Sequence, residues 1–165
     1  MTAPIDLYTL LERCAALESE ALSRLDPGIQ AQAFPYVAIS NDVYPFFTNS
    51  LPPLEIEGES QDIDKYTLRV PARLLVGHVN GGAKGEYERR LYEFIPQLVH
   101  YFNERDQLQS DAYESRADGV EYARIVSVTG LTRFSQSGTG IDDGQMGAAF
   151  TIEIVLYNPI CQQYL

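Results

Sequence analysis

The stretch whose residue types come nearest to a chemical site is Gly77-His-Val-Asn-Gly-Gly-Ala-Lys84. It falls between a strand-like and a helix-like segment, where nucleotide-binding loops cradle phosphates with backbone N–H groups and a lysine. That chemistry needs Gly-Lys followed directly by Ser or Thr, because the lysine meets the β- and γ-phosphates and the hydroxyl holds magnesium. Here Ala83 separates Gly82 from Lys84, and Gly85 stands where the hydroxyl belongs. The loop therefore reads as a turn that opens a helix, and no cofactor is expected.

The other reactive side chains are scattered. His78 and His100 are the only histidines, and Cys14 and Cys161 the only cysteines. None has a Cys or His partner at ligand spacing, so neither a zinc site nor a disulfide framework is expected, and the cysteine usage fits a reducing compartment. Cys14 falls on the apolar side of a helical pattern, which makes it a small core residue rather than a reactive thiol. Carboxylates do cluster. Asp142 and Asp143 are adjacent, and Glu55, Glu57 and Glu59 would share one face of an extended segment. An acidic chain produces such groupings by chance, and no nucleophile motif or complete catalytic constellation accompanies them. The chain is expected not to be an enzyme.

Charge narrows the partners. Twelve Lys and Arg against 23 Asp and Glu give a net charge of −11. Nucleic-acid binding rests on cations that displace phosphate counterions, so a general nucleic-acid binder is not expected. Residues 25–64 contain no Lys or Arg at all, while Asp26, Asp42, Glu55, Glu57, Glu59, Asp62 and Asp64 fall within them. Such a segment presents a surface of one sign. No apolar run approaches the roughly 18–20 residues of a membrane span, and no basic stretch leads into an apolar one at the N-terminus.

The elements that would position these groups follow from periodicity. With 165 residues and 45% hydrophobic content, one domain over 1–165 is the economical expectation. Leu7, Leu10, Leu11, Cys14, Leu17, Ala21, Leu22 and Leu25 recur at helical spacing and predict an amphipathic helix over 5–25, stopped by Asp26-Pro27-Gly28. Residues 34–39 predict a short strand that Pro35 pushes to an edge or a strand start. Residues 40–64 show neither period and predict a long loop. Its apolar Phe46, Phe47 and Leu51, with Tyr44, need burial by their own domain or by a neighbouring subunit. Strict alternation over 65–78 predicts a half-buried strand, with Tyr66, Leu68, Val70, Ala72, Leu74 and Val76 on one face and Thr67, Arg69, Pro71 and Arg73 on the other.

A helix over 86–105 follows, which Pro96 should kink or divide. Residues 120–129 predict a β-branched strand, and 135–147 a glycine-rich loop holding Asp142 and Asp143. Residues 149–158 predict a last strand, apolar on both faces and therefore central. The sum is α+β: a mostly antiparallel sheet of about four strands with two main helices packed on one face.

This layout resembles a known family. The carriers are the N-terminal amphipathic helix, Asn49-Ser-Leu-Pro-Pro-Leu54, a strand ending Leu74-Leu-Val-Gly77, and a helix containing Leu91-Tyr-Glu-Phe-Ile-Pro96. A two-stranded C-terminal half with a glycine loop completes them. Together they resemble the tail terminator (tail completion) proteins of the neck of tailed bacteriophages. The resemblance implies a virion structural protein, assembled in the host cytoplasm, that forms a homo-hexameric ring. Such a ring caps the tail tube, stops its polymerisation and docks the head–tail connector.

On that reading Tyr44, Phe46, Phe47, Leu51, Asp142 and Asp143 are candidates for contacts between subunits or with partners. Arg69 and Arg73 would meet carboxylates of a neighbour or of their own subunit. Glu55, Glu57 and Glu59 would give an acidic lumen or partner surface past which DNA moves without specific binding. Other head–tail connector or tail-tube proteins share this texture, and an acidic DNA mimic is a further alternative.

Overall fold

The structure is a computed structural model that describes residues 6–28, 30, 32–37, 43–51, 54–58, 63–78, 84–134 and 144–159. It begins with α1 (Leu7–Leu25), whose start is fixed by Asp6. The Asp6 carboxylate accepts the Tyr8 N–H at 3.0 Å and the Thr9 hydroxyl at 2.9 Å, which satisfies an otherwise orphaned donor of the first turn. Leu10, Leu11, Cys14, Leu17, Ala21 and Leu22 form its buried stripe, as their spacing predicts.

Among the described residues seven strands and one further helix follow: β1 (Gln32–Phe34), β2 (Phe46–Asn49), β3 (Leu54–Gly58), β4 (Ile63–His78), α2 (Lys84–Asn103), β5 (Val120–Val128), β6 (Thr132–Phe134) and β7 (Gln145–Pro159). The strand order is β1-β2-β4-β7-β5, with β3 also paired to β4 and β6 to β7. β7 takes one side of β4 along its whole length, so β2 and β3 must share the other side end to end. By the same logic β5 and β6 share the far side of β7. The expected four strands match only roughly: there are four main lanes, two of them broken into pairs, plus the short β1. Among the described strand pairs only β1–β2 is parallel. The class is α+β with two helices and a mostly antiparallel sheet, and β7 is central as expected.

Residues 40–64 depart from the expected long loop, since they hold β2, β3 and the start of β4. β2 is four residues long and buried on both faces, so it carries no alternation to read. The Phe34–Ile39 expectation survives only at Phe34, where β1 ends, and residues 38 and 39 lie outside the described ones. Pro96 lies inside α2, which runs on as one helix from Lys84 to Asn103 instead of dividing.

Both helices share one core with a single face of the sheet. Leu68, Val70, Ala72, Leu74 and Val76 of β4 join Phe150, Ile152, Ile154 and Leu156 of β7, all buried together with Leu17, Leu22, Leu98 and Phe102 of the helices. The end of β4 packs against α2. A Cβ on Gly77 would come within 2.2 Å of the Tyr87 ring, whose hydroxyl donates to the His78 carbonyl at 2.6 Å. The glycine stretch thus begins as a packing requirement of strand against helix. After α2, Asn103 holds β5: its Oδ1 accepts the Ile125 N–H at 2.7 Å and its Nδ2 donates to the Ile125 carbonyl at 3.3 Å.

Candidate functional site

Alternation along β4 that puts its apolar residues under the helices sends Thr67, Arg69, Pro71 and Arg73 to the opposite face. Register then decides what stands beside them. Arg69 pairs with Glu153 of β7, and Glu153 pairs with Arg124 of β5, so the three form one row across the sheet. Glu153 is the hub. Its Oε2 accepts from Arg69 Nε at 3.4 Å and its Oε1 from the Tyr122 hydroxyl at 2.8 Å. That hydrogen bond to a carboxylate, more than burial, holds the Tyr122 phenol above its ordinary pKa.

Aromatic rings lie against the cations of this face. The Arg124 guanidinium lies 4.4 Å from the Tyr122 ring centroid, and that of Arg73 lies 4.5 Å from Phe134 of β6. Lys65 sits 5.9 Å from the Tyr157 ring. Stacking of this kind fixes the orientation of a guanidinium while its N–H edge stays free to meet acceptors. Arg69, Arg73 and Arg124 are exposed. The result is a surface of oriented guanidinium and hydroxyl groups, a composition that suits contact with carboxylates and carbonyls of another protein.

The expected site residues distribute unevenly over the molecule. Arg69 and Arg73 do share this face, and the carboxylate that Arg69 meets belongs to its own chain. Glu55 and Glu57 lie in β3 as register partners of Thr67 and Lys65. Glu59, Asp142 and Asp143 fall outside the described residues, as does Cys161. Leu51 follows β2 and is 63% exposed, so it remains a candidate contact. Tyr44 is half-buried; its ring lies 5.3 Å from Phe46 and its hydroxyl accepts from Gln145 Nε2 at 3.5 Å.

Phe46 and Phe47 require correction as interface candidates. They are 0% and 1% exposed, because the chain itself buries both sides of β2. Phe47 packs 5.6 Å from Phe150, while Phe46 meets Phe34 edge-on at 6.1 Å. No neighbour is needed to cover them.

Among the described residues no group of three His, Cys, Asp or Glu is placed to hold a metal ion. Cys14 is fully buried, and burial pushes its thiol well above the usual pKa. His100 lies on the exposed side of α2, with Nε2 3.3 Å from Glu104. A cleft of about 400 Å³ opens between the end of α1, the start of β2 and the middle of α2, lined in part by Asp26, Tyr44, Arg90 and Glu93. Its charged helix members bind their own neighbours: Glu93 to Arg89 at 3.0 Å and Arg90 to Glu86 at 3.4 Å. No described helix is long and apolar enough to cross a membrane.

Tyr122, Arg124, Phe134 and Glu153 belong to the site but escape sequence reasoning. Period-two alternation marks the first two and Glu153 as outward-facing, yet only the register between β4, β7 and β5 brings them into one row. No protein-family model matches this chain, and no curated protein matches it significantly.

Proposed function

We propose that this chain is a structural ring subunit of the neck of a tailed bacteriophage, where it caps the tail tube, ends its polymerisation and docks the head–tail connector. Its work is mechanical rather than catalytic. The observation that supports this most is the sheet face turned away from the helices, where the exposed Arg69, Arg73 and Arg124 are held against Glu153, Phe134 and Tyr122. A subunit repeated around a ring presents two different surfaces, one to each neighbour. An arginine-bearing face on a chain of net charge −11 is complementary to the rest of its own surface. The exposed Leu51 and the half-buried Tyr44 add an apolar element beside β2. Acidic walls let DNA pass without adhering, since like charge repels the phosphates.

Native mass measurement of the purified chain tests this reading. The expected species is a closed oligomer, a hexamer, that the double variant Arg73→Glu, Arg124→Glu converts to monomer while its circular dichroism stays unchanged. A chain that stays monomeric at high concentration and also leaves purified tail tubes uncapped overturns the proposal. Microscopy of assembled particles separates a cap from a connector or a tube subunit by position. Salt-sensitive capture of a basic nucleic-acid-binding enzyme would instead identify a DNA mimic.

A further inference from the structure

Glu18 lies in the middle of α1 on its buried stripe and is 1% exposed. Facing it from β2 is Asn49, also fully buried. Asn49 Nδ2 donates to Glu18 Oε2 at 2.9 Å and to the Phe34 carbonyl of β1 at 3.0 Å, which uses both amide hydrogens. Among the described residues two buried oxygens are left without a partner, Glu18 Oε1 and Asn49 Oδ1. They belong to the same two groups that the Asn49 Nδ2 hydrogen bond already joins. Two orphan acceptors in one buried pair signal a missing hydrogen. Among the described residues, an ionised carboxylate here would have a single neutral donor, an arrangement that costs far more than keeping the proton.

We propose that Glu18 is held as the neutral acid and that its proton bridges Oε1 to Asn49 Oδ1, closing a carboxylic acid–carboxamide ring that clasps α1 to β1 and β2. A single hydrogen then satisfies both orphans. The groups facing Glu18 are consistent with this: Cys14 one turn earlier on α1 is a buried thiol, β2 contributes the neutral amide, and β1 contributes a carbonyl through that amide. Among the described residues no cation acts on Glu18. Burial pushes its carboxyl up to about 8, with the Asn49 hydrogen bond opposing in part.

The clasp makes folding proton-linked. In the unfolded chain Glu18 loses its proton near the ordinary glutamate value of about 4.3. In the folded chain it keeps it until about pH 8. Between these values folding takes up a proton, so the folded state is favoured most below the lower value and loses ground as pH rises. One proton corresponds to about a tenfold fall in the folding constant for each pH unit. Above the folded-state value the site is charged in both states and its contribution levels off.

The test is Glu18→Gln. Glutamine has the same shape, donates from Nε2 to Asn49 Oδ1, accepts at Oε1, and has no proton to lose. Denaturant titrations of both chains between pH 5 and pH 9 give the ratio of their folding constants, in which all other titrating groups cancel. The expected ratio, wild type over variant, falls by about tenfold per unit through the middle of that range. A flat ratio overturns the proposal. If the variant fails to fold, the wild type still decides: the infrared carbonyl stretch of a neutral carboxylic acid must be present at pH 6 and vanish above pH 9. A carboxylate signature alone at pH 6 overturns it.

Discussion

The two faces of β4 are built from one strand and have opposite relations to the rest of the molecule. Leu68, Val70, Ala72 and Leu74 vanish beneath two helices, whereas Arg69 and Arg73 on the opposite face are exposed and stand beside Glu153 and Phe134. The first face can be read as fold and the second as contact, because burial rewards volume and shape while an open surface rewards oriented polar groups. Substitutions on the two faces should therefore separate stability from assembly.

The largest expected effect is on the helix side. Phe102→Ala removes a fully buried ring from the core between α2 and the sheet, and should cost about 3–5 kcal/mol in denaturant unfolding. Gly147→Ala comes next. Its Cβ would lie 2.0 Å from the Leu74 carbonyl oxygen, at the irregularity where β4 and β7 shift register. Backbone rather than a flexible side chain must yield there, so a loss of about 1–3 kcal/mol is expected. If Gly147→Ala proves neutral, the close approach of the two central strands is not required for their pairing.

Arg69→Ala belongs to the open face and should be the smallest. Its pair with Glu153 is more than half exposed on the arginine side, and exposed ion pairs contribute about 0–1 kcal/mol. A double-mutant cycle with Glu153→Gln should return a coupling in that range, and a value above about 2 kcal/mol would mean that the open face is itself part of the fold's foundation.

Much of this architecture is legible in the chain. The spacing of Leu7, Leu10, Leu11, Cys14 and Leu17 announces α1, and the alternation of residues 66–76 identifies both the core and the open side of β4. β2 is illegible for a physical reason: when Phe46 and Phe47 are buried on opposite faces, the polar half of the alternation disappears and the strand looks like an aromatic loop. The same double burial makes them look like contact residues. Arg69 and Arg73 are visible as outward-facing groups, but Glu153 and Arg124 are 84 and 55 residues from Arg69 in the chain. Only strand pairing places them side by side, and no local pattern encodes it. Glu18 is hidden differently. The helical pattern puts it with Glu12, Arg13, Glu20 and Arg24 outside the apolar stripe, yet it is buried, and the neutral amide that keeps it company comes from β2, the element that carries no period.

The broken outer lanes have a consequence for how the protein can and cannot associate. A sheet grows by adding strands to an unpaired margin, and long flat margins invite uncontrolled stacking of copies. Here the margins are interrupted: β1 and β6 are three residues long, and β5, the longest at nine, carries register shifts at Val120/Tyr122 and Ile125/Ser127. Each shift twists the strand and breaks its row of free backbone groups. Copies of this chain are thus steered away from open-ended fibres, and any orderly union must be made by side chains meeting across faces, which is a geometry that can close on itself and stop.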